Sequence, residues 1–470
     1  MIRSVGALNN IWKIPDLKKK VLYTLLMLFV YRLGAHVPTP FIDRGELANF
    51  IERSRQGIGS SIFAVVDLFS GNAFRQMSVL ALGIMPYISV SIILQLLAVV
   101  YPKLQKLQQE GALGQAKINR LTRQFTVILA LFQGLAMGIF LKSNNLTYMT
   151  GSSSWLFLFT TMVAMTAGTT FLMWLGERIT DDGIGNGISL IIAVGIMASY
   201  PGDAVSLVTQ ISQGAVSSMW GIIIIMLFVA STVAIILIQD GTRRIPMQHA
   251  KRVVGRRVMG GSGSSYLPLK VNTAGVIPVI FASAILAFPS FVAQVLPGGA
   301  NEGMGAAFAN FFSINSNTNL YNALGLQQNG FFDVLKAFNA HIITFALMTG
   351  FFCYFYTAVT FNPDDIANNL KKSGSFVPGK RPGRPTSEYI DFVLTRITTF
   401  GALFLVLIAV IPLVLQVAYD MPFQARDFVG GTGLIIVVGV LLDTLKQVES
   451  QLLMRHYEGF AARRTSARWR

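Results

Sequence analysis

Apolar residues in this chain fall in long continuous blocks, and ten stand out: roughly 21–40, 77–100, 122–141, 155–176, 184–200, 218–239, 273–296, 338–361, 393–416 and 430–450. A helix rises about 1.5 Å per residue, so about twenty apolar residues cross the ~30 Å hydrocarbon layer of a bilayer. Such a span must pair all its backbone groups internally, which leaves helices or closed barrels. Barrel strands would read as alternations over about ten residues. These blocks do not alternate, so ten membrane-spanning helices are predicted. The first follows Lys18, Lys19 and Lys20 as a secretory signal would. Its apolar stretch is long, however, and no small-residue cleavage site follows, so an uncleaved span is expected.

Composition agrees. The chain is 53% apolar and 13% charged, with mean hydropathy +0.55, where a soluble domain carries about 25% charged residues. Disordered, collagen-like and disulfide-scaffold classes are excluded, and the single Cys353 cannot form an internal disulfide.

The cations set the orientation. With the N-terminus in the cytoplasm, thirty of the 38 Lys and Arg residues fall on the cytoplasmic side: five before the first span, five after the second, one (Arg178) after the fourth, seven after the sixth, six around the eighth-to-ninth loop and six at the C-terminal end. Seven lie opposite, and Arg32 lies within the first span. Acidic residues divide thirteen to nine, so the bias is one of cations. Both termini are placed in the cytoplasm. The loop at 240–272 exceeds what orientation needs, with Arg243, Arg244, Lys251, Arg252, Arg256, Arg257 and Lys270 against Asp240 alone. The loop at 361–392 adds Lys371, Lys372, Lys380, Arg381 and Arg384. Projecting basic loops of this size suit docking on a phosphate-rich or acidic surface, such as ribosomal RNA or an acidic cytosolic partner.

The membrane interior lacks the groups that ion-coupled carriers use. Spans two to nine hold no Asp, Glu or Lys in their central stretches; Asp443 comes late in the tenth, and Arg32, His36 and His341 sit near span ends. That opposes a proton- or sodium-driven carrier, though sites built from backbone carbonyls stay open. Enzyme signatures are missing as well: there is no His-Glu-x-x-His, no His/Cys cluster and no Walker loop. Gly260-Gly261-Ser262-Gly263 matches a protease string but lies in the basic loop and reads as a flexible tip. Gly183-Ile184-Gly185-Asn186-Gly187 reads as a tight reversal between the fourth and fifth spans. Gly134-x-x-x-Gly138 is a helix-packing face. No catalytic residue, metal site or cofactor is predicted. Residues Phe63 to Gln76 form a short amphipathic segment broken by Asp67, Ser70, Gly71 and Asn72. It is too short and polar to cross, and reads either as a re-entrant or surface helix or as a mobile stopper over a pore.

Four long strings carry a resemblance. LALGIMPYISVSIILQLL (80–97), WLGERITDDGIGNGISLII (174–192), LPLKVNTAGVIPVIFASAIL (267–286) and FNPDDIANNLKKSGSFVPGKRPGRPT (361–386) resemble, in order, segments of the SecY family, the large channel subunits of the bacterial Sec translocon. The resemblance runs from the first span to the tenth. It implies an all-α integral membrane protein with ten transmembrane helices in two pseudo-symmetric five-helix halves around an hourglass pore that opens sideways to lipid. The expected division is a cytoplasmic segment 1–20, a first half 21–200, a second half 201–450 and a basic tail 451–470. The implied activity is conduction of unfolded secretory chains and lateral release of membrane segments, with no hydrolysis by this subunit. The implied partners are the SecE and SecG small membrane subunits, the SecA motor ATPase, a translating ribosome, signal-sequence-bearing chains and membrane lipid.

Carried over residue by residue, the pore ring is Ile84, Ile88, Ile192, Ile280 and Ile436. The plug is the segment 63–74, with Phe63, Asp67, Phe69, Gly71, Asn72 and Phe74. The lateral gate holds Ile92, Gln133, Phe288 and Val292. Arg381 matches the Arg of the family's Pro-Gly-x-Arg-Pro-Gly turn, a contact for motor and ribosome alongside the loop from Arg243 to Arg257. Lys380 stands where the family more often has an apolar residue, and Gly433 stands where Ser is expected. Two rival readings are a small-solute transporter, and an insertase or docking receptor without an aqueous path.

Overall fold

The computed structural model describes residues 14–54, 70–149, 153–214, 217–249, 252–254, 257–259, 265–295, 340–418 and 431–466. A helix lies on each of the ten apolar stretches: α1 (Pro15–Gly34), α3 (Met85–Val100), α5 (Ala112–Ser143), α6 (Ser154–Asp182), α7 (Gly187–Ser212), α8 (Ser218–Asp240), α9 (Ile277–Val295), α10 (Ala340–Thr360), α12 (Arg384–Ala418) and α13 (Gly431–Ser466). Shorter helices α2 (Arg44–Ser54), α4 (Pro102–Gln109) and α11 (Pro363–Lys372) lie between them. Among the described residues seven helices are each long and apolar enough to cross a bilayer, and α3 with α4, bent by 105°, makes an eighth. Lys18, Lys19, Lys20 and Arg32 dilute α1. The chain is a multi-pass membrane protein.

Local chemistry sets the breaks. Pro stands in the first turn of α1, α3, α4 and α11, where its missing N–H costs nothing. Pro102 follows the extended Tyr101 and turns α4 away from α3. Within the spans, Thr122, Thr126, Thr166, Thr170 and Thr357 donate their hydroxyls to the carbonyl four residues back, so no partner from water is needed. Gly134 and Gly138 let α5 approach Met162 and Leu158 of α6, as their spacing predicts. The outer face of α8 shows Ile222, Ile225, Met226 and Val229, which in a bilayer meet lipid.

The first five long helices (α1, α3, α5, α6, α7) pack among themselves, and so do the last five (α8, α9, α10, α12, α13). The two sets meet along two seams. On one, α9 touches α3 and α5; on the other, α7 touches α8 and α13. A single buried apolar cluster runs through both sets.

The basic loop after α8 is a β structure, which the sequence did not announce. Strand β1 (Thr242–His249) pairs antiparallel with β4 (Ser265–Lys270) from Thr242↔Lys270 to Met247↔Ser265. Between them, β2 (Arg252–Val254) pairs with β3 (Arg257–Met259). The far edge of β1 takes up β5 (Ser375–Phe376) through Gln248↔Phe376 and His249↔Ser375. Both basic loops are therefore tied into one sheet, ordered β4-β1-β5. Ile245 and Leu269 are buried against Val377, with Tyr389 and Val393 of α12 beneath them.

Candidate functional site

Four helices from both sets bring Ile84, Ile88, Ile192, Ile280 and Ile436 into one buried apolar cluster, each 5% exposed or less. Ile84 caps α3 and accepts the Ile88 N–H at 3.1 Å, so the pair stands one turn apart on one face. Ile192 comes from α7, Ile280 from α9 and Ile436 from the start of α13. Ile92 lies a further turn along α3 in the same cluster. Gln133 is buried on α5, one of the two helices that α9 touches. Phe288 and Val292 lie on α9, and their side chains fall outside the described residues.

The segment leading into α3 is not a continuous helix. The second apolar block begins at 77, whereas the helix begins at Met85; Met77 (φ 41°) and Gly83 (φ 57°) turn the chain before Pro86 starts it. Phe63, Asp67 and Phe69 lie outside the described residues. From Ser70 onward the chain enters the bundle rather than lying on its surface: Ser70, Ala73, Phe74 and Met77 are buried. Arg32 Nη1 donates to Gly71 O at 2.9 Å, and the Tyr31 hydroxyl donates to Ser70 O at 3.3 Å. Gly71 has φ 65°, and a Cβ there would stand 2.6 Å from Tyr31 Oη and 2.7 Å from Gly195 Cα on α7. Two glycines thus set backbone on backbone beneath Tyr31. Asn72 follows, also left-handed at φ 67°.

The reversal at 183–187 is held from three sides. Ile184 N donates to Thr24 Oγ1 of α1 at 3.0 Å, Gly185 N to Gln447 Oε1 of α13 at 3.0 Å, and Gly187 N to Thr180 Oγ1 at 2.9 Å. Asn186 caps α7 by accepting from Ser189 N. A side chain at Gly187 would collide with Gly176 O. The spacing Gly-x-Gly-x-Gly therefore joins α1, α6, α7 and α13.

The sheet carries the basic face. Arg244 of β1 lies 4.9 Å above the Tyr266 ring of β4, and both residues are exposed. Asp240, the one acid of this loop, pairs with Lys446 of α13 at 3.2 Å and so does not neutralise it. Arg252 and Arg257 sit on β2 and β3, and Lys251 and Arg256 lie outside the described residues. The turn 378–383 presents Arg381 between Gly379 (φ 79°) and Gly383 (φ 100°), and Thr386 Oγ1 donates to Arg381 O at 2.8 Å.

Comparison with known proteins gives this arrangement a family. The SecY sequence profile matches residues 78–445. A Protein translocase subunit SecY from Streptomyces scabiei is 42% identical over 97% of this chain and 99% of its own length. The chain belongs to the SecY family. Two solved structures share the fold. A SecY protein whose plug domain is described as stabilising the closed state of the translocation channel has a TM-score of 0.59 at 17% identity, covering 92% of each chain. Canine Sec61 in a ribosome–channel complex from the endoplasmic reticulum has a TM-score of 0.57 at 16% identity, again covering 92% of each chain.

Lys380, where the family more often has an apolar residue, is exposed with its ammonium 5.6 Å from the Tyr389 ring on α12, and the exposed Arg381 follows it. Gly433 falls in the first turn of α13, just before Ile436. Sequence reasoning missed Tyr31 and Gly195, and noted Arg32 within the first span without naming its partner. Its role could have been found, since an arginine inside a first span asks for a partner, and Gly71 O is that partner.

Proposed function

We propose that this chain is a protein-conducting channel of the cytoplasmic membrane, with both termini in the cytoplasm. It passes unfolded secretory polypeptides across and releases apolar segments sideways into lipid. The observation that supports it most is the convergence of Ile84, Ile88, Ile192, Ile280 and Ile436 from both helix sets in one apolar cluster. Such a collar offers no ligand to an ion and disfavours a continuous water column, so it seals by dewetting. It also yields to any polypeptide, because it grips by no specific bond. The segment 63–74 closes the external side as a plug, its C-terminal root seated on Tyr31, Arg32 and Gly195.

The α9 seam with α3 and α5 is the lateral gate, with Ile92, Gln133, Phe288 and Val292 toward the crevice. Its few polar groups let a segment partition to lipid by its own hydrophobicity. The basic loop with Arg243, Arg244, Lys251, Arg252, Arg256 and Arg257, together with Lys380 and Arg381, docks the SecA motor or a ribosome on the cytoplasmic side. SecE and SecG brace the bundle. The subunit itself hydrolyses nothing. Replacing the five isoleucines together by Ser tests the reading: resting channels in planar bilayers should conduct ions continuously, and parental conductance would remove the ring.

A further inference from the structure

The sheet after α8 buries one face and leaves the other open. Ile245 of β1 is buried against Leu269 and Val377. Strand alternation therefore places Thr242, Arg244, Pro246 and Gln248 on the opposite face. The register sets their partners on that same face: Lys270, Pro268 and Tyr266 of β4 stand opposite Thr242, Arg244 and Pro246, and Phe376 of β5 stands opposite Gln248. Phe376 is half-buried, and the other seven residues are exposed.

Two properties of this face point to one kind of partner. The first is its charge. Arg244 and Lys270 lie on it, Arg243 is exposed beside them, and no Asp or Glu occurs anywhere from 241 to 301. Asp240, just before the sheet, is paired with Lys446. The second is its flat groups. The Arg244 guanidinium lies 4.9 Å from the centre of the Tyr266 ring, its diagonal neighbour across the two strands, and Tyr266 is 48% exposed. An acidic peptide, or the phosphates of a double helix, would call for cations alone. An unpaired base needs a plane to lie on, and rings and guanidinium groups set among cations on a sheet supply it. Gln248 adds an amide that can both donate to and accept from a base edge.

We propose that this sheet face binds unpaired ribosomal RNA, with a base stacked on the Tyr266–Arg244 pair and with Lys270 and Arg243 meeting backbone phosphates. The proposal rests on the ribosome-docking reading above and names the chemistry of that contact. Charge alone would hold any polyanion. The stacked pair selects single strands over duplexes, because a paired base keeps both of its faces inside its own helix.

The test uses the complex with its small subunits in nanodiscs of neutral lipid. The probes are empty ribosomes, a labelled short oligoadenylate, an RNA duplex of the same length, and the motor protein. Tyr266→Leu removes the ring and keeps apolar bulk, Tyr266→Phe keeps the ring, and Arg252→Glu with Arg257→Glu reverses charge on β2 and β3. The parent should bind oligoadenylate more tightly than duplex. Tyr266→Leu should weaken oligoadenylate and ribosome binding about five- to 150-fold, and Tyr266→Phe should stay within about twofold of the parent. The slope of log affinity for oligoadenylate against log salt should be unchanged in Tyr266→Leu and should lose about 0.7 in Arg244→Gln, which gives up one phosphate-facing charge. Parental affinities in Tyr266→Leu would overturn the stacking role; if the Arg252→Glu, Arg257→Glu pair still weakens ribosome binding, the docking reading stands without it. Ribosome binding unmoved by every substitution would overturn both. Duplex bound as tightly as single strand would make the face a phosphate surface, and a Tyr266→Leu loss confined to the motor protein would make it a protein surface; either overturns the proposal.

Discussion

The contact of Gly71 with Gly195 can be broken by one methyl group. In Gly195→Ala the new Cβ would stand 2.9 Å from Tyr31 Oη and 3.2 Å from Gly71 Cα. Carbon atoms pack comfortably at about 3.5–4.0 Å, so the plug root and α7 must part by roughly half an ångström. The Tyr31–Ser70 bond, already 3.3 Å long, then fails, and the Arg32–Gly71 bond lengthens. Overpacking of this kind costs ~1–3 kcal/mol. Only the share of this strain that falls on Gly71 is relieved when the root leaves, the contact with Tyr31 staying within the helices, so the displaced state gains up to about 150-fold in population. Alanine also favours the helix by about 1 kcal/mol over glycine, but α7 is a helix in both states and that gain cancels. Gly202→Ala is the control: it lies on the same helix, makes the same exchange, and its Cβ would meet nothing within 4 Å. The assay is the frequency of spontaneous openings of resting channels in planar bilayers at matched protein density. Gly195→Ala should open roughly tenfold more often or beyond, and Gly202→Ala should match the parent. Equal frequencies in all three would refute the idea that Gly195 seats the root.

Other consequences are simpler to read. Arg381→Glu alters an exposed turn whose backbone is held by Thr386, so motor-driven export should fall about tenfold or more while assembly stays normal; parental export rates would contradict it. Binding of motor or ribosome to the basic sheet should weaken at least about tenfold between about 50 and 200 mM salt, and salt-insensitive binding would remove the polyanion-docking role. Gly187→Ala drives a methyl into Gly176 O and must open the reversal between α6 and α7. A loss of about 3 kcal/mol or more is expected, measurable as a lowered thermal midpoint and poor accumulation; a midpoint equal to the parent's would refute it.

Apolar blocks located a helix at each of the ten positions, because a helix that faces lipid must stay apolar along its length. Their ends were less legible. The α5 helix starts at Ala112, ten residues before its apolar block, since Lys117 and Arg120 lie outside the apolar part of a helix that simply continues. The α7 helix likewise runs past Pro201 to Ser212. Glycine spacing made the 183–187 reversal readable, because a tight turn is a local event. The sheet was not readable: β1 contains Pro246, and it pairs with β4 about twenty residues away and with β5 more than a hundred residues on. The seat of Gly71 was hidden for the same reason, as Arg32 meets it across 39 residues and Gly195 approaches it only through the fold.

The central claim is that a polypeptide passes through this bundle at the isoleucine cluster. The most direct measurement places a photoreactive residue at position 88 and, as a control, at position 222 on the outer face of α8, where the native Ile222 is 69% exposed. A secretory precursor is then stalled mid-export and irradiated. An adduct at 88 and none at 222 is the expected result. Export that proceeds while position 88 labels only lipid or neighbouring helices would place the translocation path elsewhere and contradict the account.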